Sequence, residues 1–354
     1  MKLSIQKATY ILLFVIASAM IAIHAGNILK PMVFAVLAAT IYLKPAQWIE
    51  KRGLGRAASV LLTLLLGTVI LTGFGYLLAN ETVQVMTTLK TELNIDKPSQ
   101  VIAEELNSQL NSEWLYLDKN EVSDTFRKWL GDVGVPFISN TFKSTGYIIS
   151  NAALSMIYTF FILLYRRGIV ESILKIWSNS EESDQSIIIN RILKTGQQYV
   201  GGLAALIVLL SILYAITFWA FGLEYAIVFA VIAATLAVIP YIGTTLGASL
   251  PVVYAYLSYE NHYIALGLIA CIMTIQMLEG NFLTPKIVGG SMKLNPFVSL
   301  LAVVFGNFIW GLAGMILFLP LAAMLKIVLM ETNSLHPIGE LMGQNLIKPE
   351  QKDE

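Results

Sequence analysis

The positions of the charged side chains constrain this chain more than any other feature. With Asp, Glu, Lys and Arg taken as interruptions, long uncharged runs occupy Ala8–Leu29, Ala57–Ala79, Ser144–Tyr165, Thr195–Leu223, Tyr225–Tyr259, Asn261–Leu278 and Leu294–Leu325, with a shorter run at Pro31–Leu43. A helix rising about 1.5 Å per residue needs about 20 apolar residues to cross about 30 Å of hydrocarbon, so most of these runs are long enough to span. In lipid the backbone must bond to itself, which leaves helices or closed barrels, and the ten-residue alternating strands of a barrel are absent from the sequence. The expected fold is all-α: a polytopic integral membrane protein with about eight transmembrane or re-entrant helical segments and a small helical extracytoplasmic domain.

Composition narrows the function classes. Of 354 residues 56% are apolar and 13% charged, against about a quarter charged in a soluble domain. Twenty-three basic and 23 acidic residues give no basic excess for a nucleic acid. One cysteine, Cys271, precludes an internal disulfide, and His24, His262 and His336 lack metal-ligand spacing, so neither a metal nor a cofactor is expected. Lys2 and Lys7 before an apolar run, with Ala17-Ser18-Ala19 beyond, resemble a signal peptide; the apolar stretch continues past that point, and the reading is a retained first span.

Positive charge sorts the connections. Lys2 and Lys7 precede the first span, Lys44, Lys51, Arg52 and Arg56 lie between the second and third, Arg166, Arg167, Lys175, Arg191 and Lys194 follow the fourth, and Lys286, Lys293 and Lys326 border the last. The turns His24–Asn27, Gly222–Glu224 and Ser258–His262 have no Lys or Arg. By the positive-inside rule both termini are expected in the cytoplasm of a multi-pass protein of the bacterial inner membrane. The chain divides into three N-terminal spans over 1–79, a helical extracytoplasmic domain over 80–143, a fourth span over 144–165, an amphipathic cytoplasmic connector over 166–200, a C-terminal core over 201–331 and a cytoplasmic tail over 332–354. The 80–143 segment carries ten acidic and six basic residues. Ile102, Leu106 and Leu110 behind Pro98-Ser99 predict one helix there, and Val122, Phe126, Trp129 and Leu130 a second. In the connector, Ile169, Ile173, Ile176 and Trp177 form a stripe suited to the membrane interface.

Two runs do not match a bilayer. Tyr225–Tyr259 is 35 residues long, roughly 50 Å as a straight helix, which is long for one crossing and short for two. Pro240 near its middle lacks an N–H and disfavours helical geometry at Ile239; Tyr241, Gly243, Gly247 and Pro251 follow. This predicts a helix hairpin broken at membrane depth, either re-entrant or made of two short spans. Leu294–Leu325 repeats the pattern with Gly306, Trp310, Gly311, Gly314 and Pro320, the last of which frees a carbonyl one turn earlier. Broken segments at membrane depth persist only where protein or a water-filled cavity covers the freed groups, and a pair of them points to a transport site. Between the two lies Glu279, followed by Asn281, Thr284, Pro285, Lys286 and Gly289. A carboxylate at depth is costly to ionise and suits proton carriage; Asn281, Thr284 and Asn295 offer oxygens to a cation or hydrogen bonds to a polar solute. The competing reading places Glu279 at the interface, solvated or paired. Lys326 reads as a snorkelling anchor.

Taken together these strings resemble a known family. Ile239-Pro240-Tyr241-Ile242-Gly243, Glu279-Gly280-Asn281 with Pro285, Lys286 and Gly289, Leu294-Asn295-Pro296, and Gly306, Trp310-Gly311, Gly314, Pro320-Leu321 and Lys326 are similar to the AI-2E (autoinducer-2 exporter) family, also called PerM-like or UPF0118. Lys30-Pro31, Tyr42-Leu43-Lys44-Pro45 and Arg52-Gly53-Leu54-Gly55-Arg56 extend the likeness upstream, while Arg166-Arg167 departs from the Lys-Asp pair that members often carry. The resemblance implies a membrane transporter with hairpins in its C-terminal half and a homo-oligomeric state. It implies export of autoinducer-2 for some members and sodium(lithium)/proton antiport for others.

The expected function is therefore secondary transport of a small polar solute or a cation across the lipid bilayer. A channel or a non-transporting scaffold is the alternative. No HExxH, GxSxG or Walker lysine motif occurs, and the spans contain no aspartate, so no enzyme and no catalytic residue is expected.

Overall fold

The computed structural model describes residues 5–92, 145–176, 182–240, 242–259, 261, 263–332 and 335–344. They form thirteen α-helices: α1 (Ile5–His24), α2 (Gly26–Glu50), α3 (Arg56–Glu92), α4 (Thr145–Leu164), α5 (Arg166–Ile176), α6 (Glu182–Ala220), α7 (Ala226–Leu236), α8 (Ile242–Ser258), α9 (Tyr263–Leu278), α10 (Thr284–Ile287), α11 (Pro296–Trp310), α12 (Leu312–Met330) and α13 (His336–Leu341). Five stretches among the described residues are long and apolar enough to cross a membrane: Gly26–Glu50, Arg56–Tyr76, Ile188–Ala220, Tyr263–Ile287 and Leu312–Met330. Large apolar side chains cover the outside of the bundle, with Phe308 76% and Trp219 77% exposed, which a water-soluble helical protein would bury. The protein is an all-α polytopic membrane protein. Most of the predicted 80–143 domain, including both of its predicted helices, lies outside the described residues, as does Tyr241.

An N-terminal cluster joins α2, α3 and α4 through Ala39, Ala46, Val60, Leu64 and Leu163. The same three helices are tied at one end by Glu50, whose carboxylate accepts from Arg166 Nη2 and from Arg56 Nε (3.5 Å). Just beyond Leu164 the chain turns by 71° into α5, so the amphipathic connector leaves the span axis at Arg166. The rest of the expected connector is not separate. Its 182–200 half is the start of α6, a 39-residue helix that carries straight on into the next span. No proline interrupts that stretch, and Gly196 places the helix backbone against Thr40 of α2 and Met324 of α12.

The main core surrounds α6. Leu206, Leu210, Tyr214 and Phe218 pack with Phe229, Ala230 and Ala233 of α7, Tyr254 of α8, and Leu268 and Ile272 of α9. A third cluster of Leu37, Trp310, Leu317 and Met324 joins α2 to the last two long helices.

The two awkward runs are both hairpins. α7 has 11 residues, about 16 Å, which reaches halfway through about 30 Å of hydrocarbon. Its partner α8 returns to the level at which α7 began: the Tyr259 hydroxyl donates to the Gly222 carbonyl at 2.7 Å and the Tyr254 hydroxyl to Glu224 at 3.2 Å. The α7–α8 unit is thus an antiparallel hairpin rooted beside the end of α6. In the α11–α12 unit the tip at Gly311 reaches the turn between α1 and α2, where Trp310 Nε1 donates to the Ala22 carbonyl at 2.9 Å. At the root of that hairpin Glu331 pairs with Arg191 near the start of α6, at 2.9 Å. The roots of the two hairpins therefore lie at opposite ends of α6.

Candidate functional site

The break in the α7–α8 hairpin follows from its residues. The last turn of α7 tightens as Val238 and Ile239 N–H donate to Thr235 and Leu236 (3.3 and 2.9 Å); Pro240 has no N–H to give; the helix restarts as Gly243 N–H reaches the Ile239 carbonyl at 3.0 Å. Gly247 and Gly243 let the arms touch backbone to backbone. A Cβ at Gly247 would lie 2.8 Å from Ala233 Cα, and one at Gly243 would run into the Leu236 carbonyl. Just past the break, the Thr244 carbonyl accepts from Gln276 Nε2 of α9 at 3.1 Å, which ties the hairpin tip to the helix that carries Glu279.

At Glu279 the helix changes pitch. Glu279–Leu283 is one π-helical turn, closed by the Thr284 N–H on the Glu279 carbonyl. Pro285 accounts for part of this, because without an N–H it cannot continue the α-helical ladder to Asn281. The change of pitch has a chemical result. Residues five apart lie about 140° apart around an α-helix but nearly in line on a π-turn, so the Thr284 hydroxyl meets and donates to the Glu279 carboxylate. Glu279 is half-buried. Directly after the turn, the Ile287 carbonyl packs on Gly202 of α6, where a Cβ would come within 2.7 Å of it.

The predicted site residues separate into two groups. Glu279 and Thr284 come together. Asn281, two positions from Glu279 and so on the far side of the turn, is exposed and spends its Nδ2 on the Met277 carbonyl at 2.9 Å. Asn295 caps α11: its Oδ1 accepts from Val298 N–H at 2.8 Å and its Nδ2 donates to the Leu341 carbonyl at 2.7 Å. Pro296 occupies the first helical position of α11, and Gly289 opens the short 3₁₀ turn Gly289–Ser291. Lys326 Nζ donates to the carbonyl of Lys293 at 2.5 Å, in exposed surroundings. Lys293 has φ 49°, so the pinned carbonyl belongs to a residue in the left-handed region.

The α11–α12 hairpin is built for contact. A methyl on Gly306 would meet the Gly314 carbonyl, and one on Gly314 the Gly306 carbonyl. Gly311 makes the turn at φ 65°, ψ −144°, and Trp310 packs edge-on against Phe318 at 5.3 Å. The carbonyl of Ile316, which Pro320 frees, accepts from the Tyr199 hydroxyl at 2.8 Å. Gln276 and Tyr199 carry no prediction from the sequence. Polar groups inside uncharged runs are the signal that would have found them, since a hydroxyl or amide in lipid must reach a partner.

Known proteins resemble this chain in sequence. The family model described as AI-2E family transporter matches residues 10–334. The AI-2 transport protein TqsA of Escherichia coli is 30% identical over 152 residues, 43% of this chain and 41% of TqsA. YrrI of Bacillus subtilis, whose name assigns it provisionally to transport, is 34% identical over 131 residues, 37% of this chain and 36% of YrrI. The chain thus spans less than half the length of these two relatives. A Mycobacterium tuberculosis protein with the same provisional assignment matches more broadly, at 24% identity over 318 residues, 84% of this chain and 80% of its own.

Proposed function

From the premise that this chain belongs to the AI-2E transporter family, we propose that it is a secondary transporter moving a small polar solute across the membrane, driven by an ion gradient. The observation that carries this reading is the junction of the α7–α8 hairpin with the π-turn. Gln276 couples the hairpin tip to α9, and three residues on, Glu279 holds a carboxylate against the Thr284 hydroxyl. A helix break and a π-turn are both low-cost places to change backbone geometry, and here they lie on bonded neighbours. Glu279 is the coupling group: it takes up a proton on one side and releases it on the other as the hairpin moves. The solute lies against the Pro240–Gly243 backbone. Autoinducer-2, the solute named for TqsA, is the first to test in that role.

A second reading keeps the frame and makes the cation the substrate. The pairing of a carboxylate with a hydroxyl oxygen favours it, because hard cations bind such oxygens. Purified protein in proteoliposomes, with imposed proton, sodium or autoinducer-2 gradients, separates the two readings. Solute flux driven by a proton gradient supports the first; sodium-for-proton exchange without any solute supports the second. Glu279→Gln is expected to abolish the pH dependence of flux in either case, and pH-coupled flux that survives in it removes Glu279 from the mechanism. A non-transporting scaffold would show no flux under any gradient.

A further inference from the structure

We infer that the end of the bundle formed by the α2–α3 turn and the α4–α5 bend is a binding site for the headgroup of an anionic phospholipid, independent of the transported solute. Charge is the first observation. Lys51, Arg52, Arg56, Arg166 and Arg167 all lie in this turn and bend, where Glu50 pairs with Arg56 and Arg166 alone, and the next acid along α5 is Glu171, one turn beyond Arg167. Glu50 is shared between two guanidinium groups, and Arg56 Nη1 turns toward the Leu164 carbonyl at 3.4 Å. Arg166 Nη1 is buried and reaches no acceptor among the described residues. The ion pairs that tie the three helices together therefore leave the cluster strongly positive.

Placement is the second observation. Trp48 and Tyr165 are 56% and 60% exposed and flank the cluster, where amphipathic rings sit at the level of lipid headgroups. Arg52 lies over the Trp48 ring at 3.5 Å, so its guanidinium is held at the surface rather than free to retreat. The 71° bend after Leu164 turns α5 out of the span axis, and with it the exposed Arg167 and the exposed Ile169. Basic groups beside apolar ones on such a helix suit a membrane surface. An acyl chain can run down the exposed Leu61 and Leu65 of α3 while the phosphate meets Arg52 and Arg167. A zwitterionic headgroup carries its own compensating cation and gains little from this cluster.

Native mass spectrometry of the full chain tests this, with phosphatidylglycerol, with phosphatidylcholine of the same acyl chains, and with inorganic phosphate as probes. The expected result is saturable binding of phosphatidylglycerol, which falls on the order of tenfold in the Arg52→Gln/Arg167→Gln double variant. A control variant, Lys194→Gln/Lys286→Gln, removes two exposed positive charges elsewhere and should bind as the parent does. Equal loss in both double variants would mean delocalised attraction and overturns the site. Equal binding of phosphatidylcholine overturns the charge argument, and binding of free phosphate that displaces the lipid overturns the lipid assignment. Arg52 and Arg167 are exposed, so unchanged thermal midpoints are expected and separate lost binding from lost fold.

Discussion

The Tyr199 hydroxyl of α6 bonds to the Ile316 carbonyl of α12, and that carbonyl is the one Pro320 leaves without its helical N–H. A kink that would be costly in lipid is thereby closed by a neighbouring helix. Pro320 is fully buried and Tyr199 is 4% exposed, so the bond is made out of reach of water. Tyr199→Phe should lower stability by about 1–3 kcal/mol, the penalty for a buried unpaired carbonyl. Restoring an N–H with Pro320→Ala should remove most of that cost. A double-mutant cycle of thermal unfolding in detergent reads the coupling; equal effects of Tyr199→Phe in both backgrounds would sink this account.

Gly306 and Gly314 place the α11 and α12 backbones in contact. Gly306→Ala has to push the arms apart and should cost about 1–3 kcal/mol, seen as a lower thermal midpoint and poorer yield. Gly73→Ala in α3 is the matched control, because nothing lies within 4 Å of its added methyl. It should be neutral or raise stability by up to about 1 kcal/mol, the helix preference of alanine. If the two variants behave alike, close approach is not what the Gly306–Gly314 pair provides.

The hydroxyl of Thr284 holds the Glu279 carboxylate. Thr284→Val keeps shape and removes the donor, and a hydrogen bond to a charged group contributes about 1.5–3 kcal/mol. Ion-coupled flux in proteoliposomes is expected to fall by roughly tenfold or more, with the pH dependence displaced, while Thr284→Ser stays near the parent rate. An unchanged pH profile in Thr284→Val would show that the hydroxyl plays no part in coupling.

Asn295 serves two partners with one amide, capping α11 through Val298 N–H and holding the end of α13 at Leu341. Asn295→Ala loses both and should destabilise by about 1–2 kcal/mol. Asn295→Asp keeps the cap and gives up the donor to Leu341. Amide hydrogen exchange should therefore quicken around Ile338–Gly343 in both variants, but at the first turn of α11 in the alanine variant alone. Faster exchange at that turn in Asn295→Asp would contradict the assignment of the cap to Oδ1.

Prolines and glycines were the most legible part of the candidate site. Pro240 and Gly311 mark the two turns because their backbone chemistry is local: a missing N–H and a permitted left-handed φ belong to the residue itself. The same locality explains why the partners were not legible. Tyr199 is 117 residues from Ile316, and Gln276 lies 32 from Thr244. Asn281 and Asn295 read as pathway groups because their amides can serve a cation or a polar solute, and the folded chain bonds them to backbone, Asn281 to Met277 and Asn295 to Val298 and Leu341. Thr284 depends on pitch. On an α-helix it would face away from Glu279, and only the π-turn aligns the pair.

What the sequence determined alone is the solvent of this protein. Long runs without charge leave helices in lipid as the only way to satisfy the backbone, and the prolines and glycines inside two of those runs require them to break. Tertiary structure decided how the broken runs are placed. The two hairpins are rooted at opposite ends of α6, and a different helix meets each tip and root. The folded chain also decided that Glu279 meets Thr284 rather than Asn281. Hydrophobic length is additive along the chain and can be counted there, whereas the partner of a freed carbonyl or a carboxylate is a neighbour only in three dimensions.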